Sequence, residues 1–129
     1  MKNKKVLIVS ARYYEELSNS LELYAKSSLA KIKYKIIKVP GIFEIPVVIS
    51  KNIKKYDGFI ALGVVIKGET PHFDFISQAT TNAIMQLSIV YKKPIGNGII
   101  TCLNGNQALI RSKKKGGEAA RAVVSVLSQ

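Results

Sequence analysis

The chain is 129 residues long and carries 20 Lys and Arg against 8 Asp and Glu, a formal net charge of +12. That length predicts one domain spanning residues 1–129, and 47% hydrophobic against 22% charged residues excludes a collagenous, low-complexity or disordered chain. The single cysteine, Cys102, cannot close an internal disulfide and fits a reducing compartment, so a cytoplasmic location is expected. The apolar stretch after the basic N-terminus runs only from Val6 to Val9 before Arg12 interrupts it, which reads as a strand and not as a signal peptide. No window approaches the ~18 apolar residues that a membrane span requires.

Val6 to Val9 has the continuous apolar pattern of a strand buried on both faces, and so of a parallel sheet. Glu15 to Leu29 places Leu17, Leu21, Tyr24 and Ala25 at helical spacing, with acids at the end where the helix dipole favours them. Lys33 to Lys38 alternates imperfectly and predicts a less covered strand, nearer an edge. Phe43 to Lys55 is rich in β-branched residues. Pro46 nevertheless suits a first helical turn better than a sheet ladder, and Ile45, Val48, Ile49 and Ile53 recur at helical intervals, so a helix is predicted. Gly58 to Ile66 predicts another doubly buried strand. Thr70 and Pro71 read as an N-cap and first helical residue, and Phe73, Ile76, Ala83, Ile84, Leu87 and Tyr91 continue one apolar stripe that Pro94 stops. Ile95 to Thr101 predicts a fourth strand, broken by Gly96 and Gly98, followed by two weaker helices at Asn106 to Arg111 and Glu118 to Leu127. This alternation predicts an α/β architecture of three layers, a four-stranded parallel sheet with helices on both faces.

The positive charge asks for an anionic partner or marks a solubilising surface. Lysines fall in every part of the chain and only Lys113 to Lys115 is compact, which favours the surface reading over nucleic-acid binding, where a stripe on one face is needed.

In parallel sheets ligands bind beyond the carboxyl ends of the strands, so the loops after the four strands are the places to search. The loop Lys67 to His72 is the most informative. Gly68 permits close approach, and a capped helix start turns free N–H groups toward the loop, a geometry that binds anions. Arg111 and Lys115 can add cations to such a site, though a plain helix cap with surface lysines fits the same residues. His72, the sole histidine, lies in the same turn, and an imidazole suits proton transfer near neutral pH; a structural histidine is the other reading. Cys102 lacks a second histidine or a CxxC partner, so core packing fits it better than nucleophilic work. Tyr13 and Phe43 are open to stacking on a ligand or to core packing, and Glu44 to accepting ligand hydroxyls or to sitting at a helix start for its dipole.

V-P-G-I-F-E-I-P (Val39 to Pro46) and A-L-G-V-V-I-K-G-E-T-P-H-F-D-F (Ala61 to Phe75) resemble the lumazine synthase family of riboflavin biosynthesis. K-P-I-G-N-G-I-I-T, Q-A-L-I-R (Gln107 to Arg111) and K-G-G-E-A-A (Lys115 to Ala120) follow in the family's order, so the likeness covers nearly the whole chain. The resemblance implies a flavodoxin-like strand order 2-1-3-4. It also implies a transferase that condenses 5-amino-6-(D-ribitylamino)uracil with 3,4-dihydroxy-2-butanone 4-phosphate to 6,7-dimethyl-8-ribityllumazine, without metal or redox cofactor.

By motif, Tyr13 takes the place of the aromatic that stacks on the pyrimidine. Ile42, Phe43 and Glu44 match the ribityl-binding turn, with Val65, Ile66 and Lys67 in the substrate-binding strand end. Gly68, Glu69, Thr70, Arg111 and Lys115 match the phosphate site, and His72 the proton-transfer histidine. The resemblance further implies a homo-pentamer with sites between adjacent subunits, Asn97 coming from the neighbour, and no nucleic-acid or membrane partner.

Departures from the family pattern are visible. Asn97 stands where many members place an aromatic, which makes part of the pocket wall more polar. The stretch between Arg111 and Lys115 is about four residues shorter than the family form. Asn104 and Asn106 replace the usual acids. Because the chain starts almost at its first core strand, no strand lent to a neighbouring subunit is expected. Two alternatives remain: the related pentameric riboflavin synthase, against which Arg111 and the Gly68 to Thr70 loop argue by favouring a phosphorylated substrate, and a basic nucleic-acid-binding module.

Overall fold

The computed structural model describes residues 3–68 and 73–129. Its sheet has four parallel strands in the order β2-β1-β3-β4, where β1 is Lys5–Ala11, β2 Lys33–Val39, β3 Gly58–Ile66 and β4 Ile95–Cys102. Strand order and parallel pairing are those expected from the sequence. The two runs read as doubly buried occupy the centre: all of β3 is buried, and β1 is buried from Val6 onward. The lysine-rich β2 is an edge, with Lys33, Lys35 and Lys38 exposed along it, where unpaired backbone would otherwise recruit another strand.

Helices cover both faces. On one, Val6, Ile8, Ile60 and Leu62 pack with Leu21, Ala25 and Leu29 from α1 (Glu15–Ser28) and its end, and with Ala119, Ala120 and Val123 of the C-terminal helix. On the other, Leu7, Val9, Phe59 and Ala61 pack with Ile45 and Ile49 of α2 (Ile45–Lys51) and Ile84 of α3 (Phe73–Tyr91). Alternate residues of one strand thus feed two separate cores, which is why these strands carry no polar face. Cys102 is buried in the first core, as the packing reading of that residue has it.

Three expectations need correction. The helix predicted over Phe43 to Lys55 is a 3-10 turn, Ile42–Glu44, followed by α2, which stops at Lys51 with Asn52 as its cap. There the Asn52 side chain donates to the Val48 carbonyl at 2.8 Å, competing with continuation of the helix. β4 is not broken by Gly96 and Gly98 but runs unbroken to Cys102. The glycines are where the C-terminal helix lies down on the strand: a Cβ on Gly96 would run into the Ala119 carbonyl oxygen.

The two weaker C-terminal helices are one, α4 (Gly105–Leu127), opened by Asn104, whose side chain accepts from the Gln107 N–H at 2.9 Å. Gly116 and Gly117, mid-helix, cost about 1 kcal/mol each relative to Ala, yet both are buried. A Cβ on Gly116 would run into the Leu21 carbonyl of α1, so close helix packing outweighs the weak propensity. Gly116→Val is therefore expected to destabilise the chain by about 1–3 kcal/mol through overpacking, read as a lower urea midpoint. The predicted start of α3 at Thr70 and Pro71 lies outside the described residues. Among the described residues, no helix is long and apolar enough to cross a membrane.

Candidate active site

The carboxyl ends of β1 and β3 open onto a small hollow whose walls are fixed by two local devices. The first follows β1. The Arg12 N–H donates to the Val39 carbonyl at 2.9 Å, and its guanidinium donates to Glu22 Oε2 at 2.5 Å and Asn19 Oδ1 at 2.7 Å. Glu22 is buried on α1 and also accepts from the Ser10 hydroxyl at 2.6 Å. A buried carboxylate with two charge-matched or hydroxyl donors is a rigid anchor, since losing either partner leaves a desolvated charge. With Arg12 clamped, the next residue is pushed outward. Tyr13 is 66% exposed, its ring meeting Tyr14 edge to face at 4.9 Å between centroids.

The second device is the 3-10 turn. Glu44 Oε1 accepts from the Gly41 N–H at 2.9 Å, closing the turn on itself. Ile42 is pressed onto β3 at Gly63, where a Cβ would collide with the Ile42 side chain. With Ile42 turned in, Phe43 is turned out, at 67% exposed. Within this chain the core-packing reading of Tyr13 and Phe43 is thus excluded, and Glu44 does hold a helix-start position with one carboxylate oxygen.

Between the two devices lies a cavity of about 190 Å³. Of the expected residues it brings together Tyr13, Ile42, Phe43 and Val65, and it adds Tyr14, Gly41, Val64 and Ile76. An apolar hollow of about 340 Å³ between Phe43 and Phe75, Ile76 and Ala79 of α3 shares Phe43 and Ile76 with it. Tyr14 and Ile76 were readable only as a loop residue and as part of the α3 stripe. Glu22 could have been found as an acid beside Leu21 on a helix face otherwise turned to the core.

A cationic end adjoins this hollow. Lys67 N–H donates to the Cys102 carbonyl at 2.8 Å, and Gly68 follows with φ +85°, a left-handed conformation suited to glycine. Arg111 reaches across from α4: its Nη1 donates to the Thr101 carbonyl at 2.8 Å and lies 3.5 Å from Cys102 Sγ. Since Val65 registers with Thr101 and Ile66 with Cys102, the guanidinium sits at the strand end next to the one from which Lys67 and Gly68 emerge. The unbroken α4 puts Lys115 one turn beyond Arg111 on the same helix face.

Two expected residues stand apart. Ile66 turns its side chain into the α1 and α4 core. Asn97 is exposed on the edge strand β4 opposite Ala61, its Oδ1 accepting from the Ile99 N–H at 3.0 Å, and does not line the hollow of its own chain. Glu69, Thr70 and His72 lie outside the described residues. Among the described residues, no three His, Cys, Asp or Glu side chains gather as a metal site would require.

Comparison with known proteins identifies one family along the chain. The family model for 6,7-dimethyl-8-ribityllumazine synthase matches residues 3–129. The 6,7-dimethyl-8-ribityllumazine synthase of Agrobacterium fabrum is 42% identical over 140 residues, covering 98% of this chain and 95% of that one. Those of Bartonella tribocorum and Bartonella henselae are 43% and 44% identical, each over 98% of this chain and over 90% and 88% of their own lengths.

Proposed function

The chain belongs to the 6,7-dimethyl-8-ribityllumazine synthase family, and from that premise we propose that it condenses 5-amino-6-(D-ribitylamino)uracil with 3,4-dihydroxy-2-butanone 4-phosphate. The products are 6,7-dimethyl-8-ribityllumazine, phosphate and water. The observation that carries this reading is the division of the strand ends into an aromatic half, Tyr13 and Phe43, and a cationic half, Arg111 beside Lys67 and Gly68. A flat heterocycle and a phosphate ester need such a pair of neighbours.

In this reading Tyr13 stacks on the pyrimidine, Val65 forms the apolar floor, and the ribityl chain lies along Ile42, Phe43 and Glu44. The free carboxylate oxygen of Glu44 accepts from ribityl hydroxyls. The strand end at Ile66 and Lys67 meets the pyrimidine and ribityl group, and Gly68, with Glu69 and Thr70, meets the phosphate, which Arg111 grips by its fork and Lys115 by its charge.

The primary amine of the pyrimidine adds to the ketone and water leaves as the imine forms. The proton on the hydroxyl-bearing carbon is then lost as the C–O bond to phosphate breaks, and the resulting enol takes up a proton at its terminal carbon to become a methyl ketone. Attack of the ribitylamino nitrogen on that new carbonyl closes the ring with loss of a second water. His72 carries protons in these steps. No step transfers electrons to an acceptor, so neither metal nor redox cofactor is invoked. Holding two reactants in register supplies much of the rate.

The proposal includes a cytoplasmic homo-pentamer with sites between subunits. A hollow of about 190 Å³ is smaller than the ~300 Å³ at which ligand sites begin. Phe43 and Phe75 beside it, and Met85, Ile89 and Val90 farther along α3, are exposed, apolar side chains of the kind that mark association. A neighbour's Asn97 completes the wall in this arrangement.

The test supplies both substrates to the purified protein and follows lumazine absorbance together with phosphate release. Turnover of lumazine alone, with no need for the butanone phosphate, would overturn the reading in favour of a riboflavin synthase. Tyr13→Ala is expected to raise the KM for the pyrimidine about three- to tenfold, the worth of one aromatic contact. Its urea midpoint should stay unchanged because the ring is exposed.

A further inference from the structure

At the opposite end of the sheet from the hollow, a cavity of about 500 Å³ opens beside the first residues of β1 and β2. Its size falls within the range of small-molecule sites, about 300–1,000 Å³. Lys5, Lys31, Lys33 and Lys35 line it together with Tyr34 and Tyr56, and no carboxylate is among its lining residues. The acid beside it, Asp57, is committed to the backbone, accepting from the Lys5 N–H at 2.8 Å. Tyr56 is held in place by an edge contact with Phe59, 6.1 Å between centroids, and the Lys5 ammonium stands 5.6 Å from its ring centre.

Protection of a sheet edge accounts for Lys33 and Lys35 on β2. It does not account for Lys5, which is on the interior strand β1, for Lys31 in the preceding turn, or for the Tyr56 ring standing beside Lys5. Lys5 also registers directly with Lys33, and like charges opposite one another on neighbouring strands are unfavourable. A bound anion relieves that repulsion.

We propose that this cavity is a second ligand site, separate from the condensation site, that takes a small phosphate ester bearing a planar ring. The phosphate sits among the ammonium groups of Lys5, Lys33 and Lys35, and the ring lies against Tyr56, which packs on the same face of the sheet.

The test is calorimetric titration of the full chain at low ionic strength with adenosine 5′-monophosphate, ribose 5-phosphate and adenosine in turn. The nucleotide is expected to saturate one site per chain. Ribose 5-phosphate, lacking the ring, binds about fivefold or more weakly, and adenosine, lacking the charge, gives no measurable binding. The double variant Lys33→Ala/Lys35→Ala, both residues exposed and so safe for folding, raises the dissociation constant about tenfold while its rate of lumazine formation equals that of the parent. Lys113→Ala/Lys114→Ala, on α4, leaves nucleotide affinity unchanged. Equal weakening by both double variants would mean diffuse charge and would overturn the proposal. So would ribose 5-phosphate matching the nucleotide, the absence of saturation, or loss of nucleotide binding in Arg111→Ala. Because the readout is binding, failure of the condensation reading leaves this test intact.

Discussion

Arg111→Ala raises the KM for the butanone phosphate about ten- to a hundredfold, the worth of charge-assisted hydrogen bonds to a phosphate, with a smaller change in kcat. The guanidinium engages Nη1 with the Thr101 carbonyl and Cys102 Sγ, so the donors on Nη2 and Nε remain for a ligand. Because Arg111 is exposed, the urea midpoint should not move by more than about 0.5 kcal/mol in stability. Arg111→Lys recovers only part of the loss, since an ammonium lacks the planar fork. His72→Ala gives the opposite pattern, a kcat lower by about 10²–10⁴ with the KM for the phosphate substrate nearly unchanged. Steady-state kinetics on lumazine absorbance separates the two. A wild-type KM in Arg111→Ala would remove the phosphate from the ends of β3 and β4.

The largest loss of stability is expected from Glu22→Ala, about 3–5 kcal/mol, because truncating one partner strands the other charge in a poorly solvated place. Arg12 and Glu22 have side-chain exposures of 17% and 8%, so water reaches the guanidinium in part and the lower end of that range is the expectation. Its neighbour Glu15, at 3.9 Å and largely exposed, cannot take over. Replacing both partners, Arg12→Leu/Glu22→Leu, should cost less than the sum of the single changes, giving a coupling energy measurable by urea unfolding. The same variants report on the site: with the clamp released, Tyr13 loses its fixed exit from β1, and affinity for the pyrimidine falls even where the fold survives.

Much of the candidate site was legible because strand ends are where a parallel sheet exposes backbone, and the loops there could be named before any side chain was placed. Arg111 was legible as a cation, but its station was not. Only the unbroken α4, packed on α1 through Gly116, sets it over Thr101 and aligns Lys115 with it. Lys113 to Gly117 looks like a loop by local preference, and a close helix contact formed by residues far away in the chain outweighs that preference.

Similarly, nothing in the residues around Tyr13 and Phe43 decides between stacking and core packing. Arg12 gripping Glu22 and Ile42 seated on Gly63 decide it, and each joins segments separated in sequence.

What the sequence by itself determined is the type and order of the elements, the two central strands, the lysine-guarded edge and the loops that hold the chemistry. These follow from burial patterns that repeat along one stretch of chain, such as Gly58–Ile66 without a polar residue. What only the tertiary structure decided is the continuity of β4 and α4, and which side chains face the hollow. Those depend on how closely two backbones approach, a distance set by distant glycines and a buried ion pair that no local pattern records.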